Sequence, residues 1–263
     1  MFEILKYRAM RLHKFKDFLF LSVRKEFKSR YTESALGTLW IMFEPMILVA
    51  TMSIIFTLLG RHGPEGIAFP VFFYSGILPW NLFATCLTRG TQVFISDRAL
   101  ISKVNFPKEI SVFKNQSVFL LDFLFASLTF VVILIIFHVT PNLFYLYLPA
   151  LIFLQVLLGI GVMFVTATLN VFIRDVGILT RNLATVWFWF TPIIFDYPFS
   201  GNTKIIYYLN PMAGIVDGYR KIIIYNQAPI FETLWCALIA SPILILIGYV
   251  LFIKKEGHFA DAL

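Results

Sequence analysis

The residues able to do chemistry are few, and most interrupt long apolar runs. Glu44 and Asp122 are carboxylates deep inside such runs, and the adjacent pair Arg174-Asp175 separates two others. A charge at the centre of a bilayer costs about 3 kcal/mol or more. Glu44 must therefore face a polar lumen, a partner subunit or locally admitted water. Arg174-Asp175 belongs in a short surface turn between two membrane spans. Groups for making and breaking bonds are missing. No segment fits G-x-x-x-x-G-K-[ST], the phosphate loop of a nucleotide hydrolase, and no nucleophile elbow is present. His13, His62, His138 and His258 are scattered, and no His, Cys and carboxylate set has metal-ligand spacing. The sequence predicts no catalytic residue, no metal site and no cofactor in this chain. It also lacks the succession of intramembrane ionisable groups expected of a proton-driven transporter.

Aromatic rings are plentiful instead: 30 Phe, 11 Tyr and 5 Trp. Most Phe side chains are expected to face lipid, and some rings to form interfacial belts. The run Trp187-Phe188-Trp189-Phe190, closed by Pro192, covers nearly every side of its helix. At least one ring must then turn inward. Flat apolar faces with polar edges hold a sliding sugar chain weakly without fixing one position.

The elements that position these groups follow from composition. The chain is 59% hydrophobic and 14% charged, with mean hydropathy +0.81 and net charge +7. Several runs reach the ~20 apolar residues that cross a ~30 Å hydrocarbon core. An all-α polytopic membrane protein is expected, with spans at 35–59, 69–88, 113–137, 144–169, 179–195 and 231–253. Cys86 and Cys236 both sit in apolar runs and imply neither a disulfide framework nor a thiolate metal site. The first span is expected to serve as its own insertion signal, since no short apolar core precedes a small-residue cleavage site.

Residues 1–34 hold nine of the 22 basic side chains, and Leu12, Phe15, Leu19, Val23 and Phe27 recur at spacings of three and four. That pattern predicts an amphipathic helix lying in the membrane interface. It either anchors on anionic head groups or also meets a partner or a phosphate-bearing lipid. Residues 35–263 form the transmembrane domain. Between the second and third spans, Ser96 or Asp97 can cap a short helix whose apolar face is Leu100, Ile101 and Val104, with Pro107 as its stop. It either docks onto another protein or rests on the bilayer. Gly159 and Gly161 with Thr166 and Thr168 allow close packing of the fourth span. From Asp196 to Gln227, Pro198, Asn210-Pro211, Gly214 and Gly218 break the chain into pieces too short to span. This predicts a re-entrant or surface hairpin on the external side before the last span. Only Arg61, Lys204, Arg220 and Lys221 of the 22 Lys and Arg then fall outside, so both termini are expected in the cytoplasm. The positive charge is read as this bias, with no nucleic-acid partner.

Several pieces in this order resemble a known family. They are Arg30-Tyr31 with Leu36-Gly37-Thr38-Leu39-Trp40 and Pro45, then Leu100-Ile101-Ser102-Lys103 with Phe106-Pro107-Lys108-Glu109. There follow Asn170-Val171-Phe172-Ile173-Arg174-Asp175-Val176, Trp189-Phe190-Thr191-Pro192-Ile193, Asn210-Pro211-Met212 and Phe259-Ala260-Asp261-Ala262-Leu263. Together they resemble the membrane subunit of bacterial ABC-2 exporters of polysaccharides, the O-antigen, capsule and teichoic-acid group. Val112 departs from it, standing where relatives often carry Pro. The resemblance implies a multi-pass permease of the bacterial inner membrane, working as a homodimer with two copies of a separate ABC ATPase. ATP and magnesium would be used in that partner, and the cargo would be a polyprenyl-pyrophosphate-linked glycan, O-antigen foremost. It implies coupling to the ATPase through Asp97, Arg98, Leu100, Lys103, Arg174 and Asp175. Trp187, Phe188, Trp189 and Phe190 would line the cargo path, and Tyr208, Asn210 and Pro211 would belong to an external gate. Arg30 and Tyr31 stand where a pyrophosphate head group could be met. The competing expectations are an ABC-2 exporter of a small molecule or lipid, and a secondary transporter with no ATPase.

Overall fold

A computed structural model describes residues 2–31, 36–60, 63–64, 66–195, 205 and 208–262, and these contain helices and no strand. The amphipathic segment forms two helices, α1 (Phe2–Lys14) and α2 (Lys16–Tyr31), where one was expected. The break is slight. The Phe15 N–H reaches the carbonyls of both Arg11 and Leu12, at 3.2 and 3.1 Å. The expected stripe holds: Leu12, Phe15, Leu19, Val23 and Phe27 are all half-buried. α2 lies along α7 (Glu109–Ile136).

α3 (Trp40–Leu58) is preceded by a single tight turn at Gly37, whose φ of 54° suits glycine. α4 (Phe69–Thr88) continues through a 3-10 turn at Gly90–Gln92 into the short helices α5 (Val93–Ser96) and α6 (Arg98–Lys103). α7 opens at Glu109, ahead of the expected start at 113, and Val112 is buried in its first turn. α8 (Leu148–Phe172) and α9 (Asp175–Trp189) follow, then α10 (Pro211–Ile223), α11 (Phe231–Lys255) and α12 (Phe259–Ala262).

Among the described residues five helical stretches are long and apolar enough to cross a membrane: 37–58, 69–103, 109–136, 143–172 and 231–258. The expected fifth span at 179–195 is not one of them. α9 has 15 residues, about 22 Å at 1.5 Å per residue, against a hydrocarbon core of about 30 Å. Arg181 and Asn182 keep its first half polar, and Pro192 has no N–H with which to continue the helix. Of the expected hairpin, residues 196–204, 206 and 207 lie outside the described residues. The part that follows, α10, is a buried helix.

Burial sorts the helices. In the stretch 69–103, 78% of the most apolar window is buried, against 11% for 37–58. α4 is thus the central post, with α3, α7, α8, α9 and α10 around it. Gln155 of α8 donates to the Pro79 carbonyl at 2.6 Å, and Tyr219 of α10 donates to Gln155 Oε1 at 3.2 Å, joining three helices through one buried amide. α8 and α11 form the most extensive helix pair, and their backbones meet at Gly161 and Gly248. α1, α6, the α8–α9 turn and α12 gather at one end, here termed the basic end.

Candidate functional site

Three features of the bundle carry functional groups: a platform at the basic end, a polar cleft beside α4, and a clasp at the opposite end.

The platform brings the two expected coupling elements together. Ile95 and Arg98 of α5–α6, Val171 near the end of α8 and Arg174 of the α8–α9 turn border one concavity of about 310 Å³, with Ala262 on its rim. Arg98, Lys103, Arg174 and Asp175 are exposed, whereas Leu100 is half-buried against the core. Asp97 is half-buried. It occupies the N-cap of α6 without a side-chain capping bond, and its Oδ1 instead accepts from Lys114 Nζ of α7 at 2.7 Å. A full charge within reach outcompetes a backbone N–H. Several residues of the platform were not singled out from the sequence. Asn170 donates to the Thr91 carbonyl at 3.1 Å and to Gln92 Oε1 at 3.2 Å, and accepts from the Gly177 N–H at 2.9 Å. Asn170 is 0% exposed, and in the sequence its signal is an amide near the end of a mostly apolar helix, beside the charged turn.

At the rim of this platform Arg8 of α1 bonds Glu109 Oε1 at 2.6 Å and also pairs with Glu256, just beyond α11. Lys108 Nζ donates to the Glu256 carbonyl at 2.6 Å. Glu109 is 1% exposed. The hydrogen bond to Glu256, aided by Glu109, holds the Arg8 proton above the usual guanidinium range against the opposing effect of burial.

The cleft, of about 630 Å³, runs beside α4 from Arg89 to Tyr74. It joins both intramembrane carboxylates, Glu44 of α3 and Asp122 of α7, with Arg30, Asn81 and Thr85 on its walls. Arg30 bonds Asp122 at 3.3 Å and Glu26 at 3.4 Å, and its guanidinium lies 5.2 Å from the Phe119 ring. The Tyr31 side chain lies outside the described residues. Glu44 and Asn81 are exposed, the placement a costly intramembrane polar group requires when it faces water or a partner. On the neighbouring helix α9, Arg181, Asn182 and Thr185 are exposed as well.

The aromatic run of α9 divides in two. Trp187 stands edge-on to Phe83 at 5.1 Å, and Phe188 edge-on to Trp80 at 5.8 Å, so both pack on α4. Trp189 and Phe190 turn outward, 58% and 54% exposed. Asn210 ties the end of this run to α10. Its Oδ1 accepts from Trp187 Nε1 at 2.9 Å and from the Met212 N–H at 3.0 Å, while its Nδ2 donates to the Phe190 carbonyl at 3.0 Å. Pro211 opens α10, where a missing N–H costs nothing. Tyr208 is half-buried beside it. Asn210→Ala is expected to lower stability by about 2 kcal/mol, because two buried N–H groups lose their acceptor. Asn210→Asp keeps the acceptor but buries an unpaired carboxylate against the Phe190 carbonyl, and should lose at least as much. Thermal unfolding in detergent checks the order.

A bundle of apolar helices around a polar cleft, with a charged platform at one end, defines a multi-pass membrane protein. The chain belongs to the ABC-2 type transporter family, whose description matches residues 18–224. It is 26% identical over 257 residues to an O-antigen export system permease protein, RfbA, of Myxococcus xanthus, covering 96% of this chain and 97% of that one. It is 29% identical over 250 residues to an RfbA of Klebsiella pneumoniae, covering 94% and 95%. Membership makes it a transport subunit and not an enzyme, and implies an ABC ATPase as partner.

Proposed function

We propose that this chain is the membrane subunit of an ATP-driven exporter carrying a polyprenyl-pyrophosphate-linked glycan, O-antigen, across the bacterial inner membrane. The observation that carries the reading is the polar surface left open at membrane depth. Asn81 is the one exposed residue of α4, and Glu44, Arg181, Asn182 and Thr185 are exposed on helices whose other exposed residues are largely apolar. Lipid covers such groups only at a cost, whereas a second copy of the chain would enclose them as a lumen. The two outward rings, Trp189 and Phe190, would then offer weak apolar surfaces to sugar. The names of the curated relatives support the same cargo.

In this reading the basic end faces the cytoplasm with both termini. α9 and the six residues after it make a sixth crossing, and the stretch before α10 belongs to an external re-entrant hairpin closed by the Asn210 clasp. The concavity between Arg98 and Arg174 seats one ATPase on each protomer. ATP and magnesium act only in that partner. The head group enters near Arg30 and Arg89 at the mouth of the cleft. Arg30 is shared between two carboxylates, so Arg89 is the less neutralised of the two cations.

The test is transport into inverted membrane vesicles by the chain alone and by the chain co-expressed with its cognate ABC ATPase. The complex should contain two of each subunit and accumulate labelled glycolipid only while hydrolysing ATP. Transport by the chain alone overturns the reading and returns Glu44 and Asp122 to the centre as ion-coupling groups.

A further inference from the structure

We propose that Asn170 fuses the two elements facing the ATPase into a single rigid body, so that a push on either is delivered to α4, α8 and α9 together. The inference rests on the export reading above and assigns Asn170 as a positioning residue.

The two elements are distant in sequence, one following α4 and the other following α8. They touch because the side chain of Asn170 uses both halves of its amide. The Nδ2 group donates to the Thr91 carbonyl and to Gln92 Oε1, at 3.1 and 3.2 Å, on the first element. The Oδ1 atom accepts from the Gly177 N–H at 2.9 Å, on the second. An aspartate keeps the acceptor and loses both donations; an alanine loses all three bonds. The approach leaves no spare room. A Cβ on Gly177 would lie 2.3 Å from Gln92 Nε2 and 3.2 Å from Asn170 Oδ1.

The first element is stitched to α8 at two further turns. A Cβ on Gly90 would lie 2.6 Å from Met163 Sδ, and Thr91 Oγ1 donates to Thr166 Oγ1 at 2.8 Å. Beyond these, the Phe259 ring of the C-terminal tail sits 4.8 Å from Phe94 and 6.0 Å from Phe172, bridging the first element to the end of α8. If the elements moved separately during a cycle, the buried amide would lose its donors' partners or its acceptor's partner midway. That penalty favours motion as one body. Two levers working independently would instead need a joint where the structure has this clasp.

The experiment uses the assembled transporter in proteoliposomes, with ATP hydrolysis and glycolipid transport measured separately. Asn170→Ala is expected to hydrolyse ATP and retain its ATPase subunits while transport per ATP falls roughly tenfold. Asn170→Asp, which buries an unpaired carboxylate against two acceptors, should lose at least as much. Unchanged transport per ATP in Asn170→Ala overturns the proposal, since a side chain that only filled space would leave that ratio intact. A second measurement does not depend on that variant folding. Thr91→Cys combined with Thr166→Cys, on a Cys236→Ser background, can be oxidised to lock the first element to α8. One rigid body predicts equal transport with the disulfide closed or reduced. Transport that stops on oxidation and returns on reduction overturns it. A parent chain that recruits no ATPase strikes the export reading itself, is seen before any variant is made, and takes the proposal with it.

Discussion

Gly161→Leu is expected to split the α8–α11 pair and leave little folded protein. A Cβ on Gly161 would lie 2.8 Å from the Ile245 backbone nitrogen and 2.8 Å from Leu244 Cβ. On the facing helix, a Cβ on Gly248 would lie 2.9 Å from the Val165 nitrogen and 3.0 Å from the Gly161 carbonyl oxygen. Backbone atoms cannot rotate away as a side-chain tip can, so the helices themselves must part. Overpacking typically costs about 1–3 kcal/mol for added methylenes, and here it falls on the most extensive helix pair of the fold. The better helix propensity of a non-glycine residue returns at most about 1 kcal/mol. Gly161→Ala should therefore be destabilised and Gly161→Leu much more so. Gel filtration of fluorescently tagged variants in detergent, followed by thermal melting, reads the effect. A monodisperse Gly161→Leu with the parent's melting temperature would show that the helices do not meet there.

Lys114→Met comes next in size, with an expected loss of about 3–5 kcal/mol, the cost of removing one partner from a buried ion pair. The side chains of Lys114 and Asp97 are 8% and 11% exposed and 2.7 Å apart, and Glu26 approaches the same ammonium at 3.6 Å. Without Lys114, Asp97 is left as a buried carboxylate at the foot of α6. The loss belongs to the orphaned charge, so Asp97→Asn added to Lys114→Met should recover much of it. A full cycle of single and double variants separates the pair's coupling from the burial of either group. Equal melting temperatures for the parent and Lys114→Met would remove this account. Because Asp97 begins α6, the single variant should also weaken retention of the ATPase, which copurification measures.

What the sequence made legible follows from range. The stripe Leu12, Phe15, Leu19, Val23 and Phe27 is local and periodic, so one apolar face was legible, but the sequence assigned that face to the membrane interface, whereas Leu12, Phe15 and Leu19 pack against the core. Arg174-Asp175 was legible as a surface turn because two adjacent charges have no cheap place inside a bilayer. Gly161 was legible as a site of close packing, but its partner Gly248 was not, since small residues announce an approach without naming the helix that makes it. Asp97 as a side-chain cap failed for a related reason. Capping logic weighs the nearest N–H groups, and the ammonium that wins the carboxylate sits on another helix. At 179–195 the apolar run suggested one continuous helix, whereas α9 stops at Trp189, because Pro192 cannot supply the next N–H. Gln92 and Gly177 went unremarked, and Asn170 was read only as part of the family resemblance, because their chemistry exists only once segments 78 residues apart meet.

The pairing of Arg8 with both Glu109 and Glu256 also sets a timetable for biogenesis. The second carboxylate lies 248 residues downstream of the arginine. At about 5–20 residues per second of synthesis, roughly 12–50 s pass before it leaves the ribosome. Until then Arg8 has only one of its two carboxylates, Glu109. Final seating of the first helix thus becomes a signal that the last one has been made. Released chains truncated before position 256 should differ from the full chain in protease protection of α1, and equal protection would show that seating does not wait for the C-terminus.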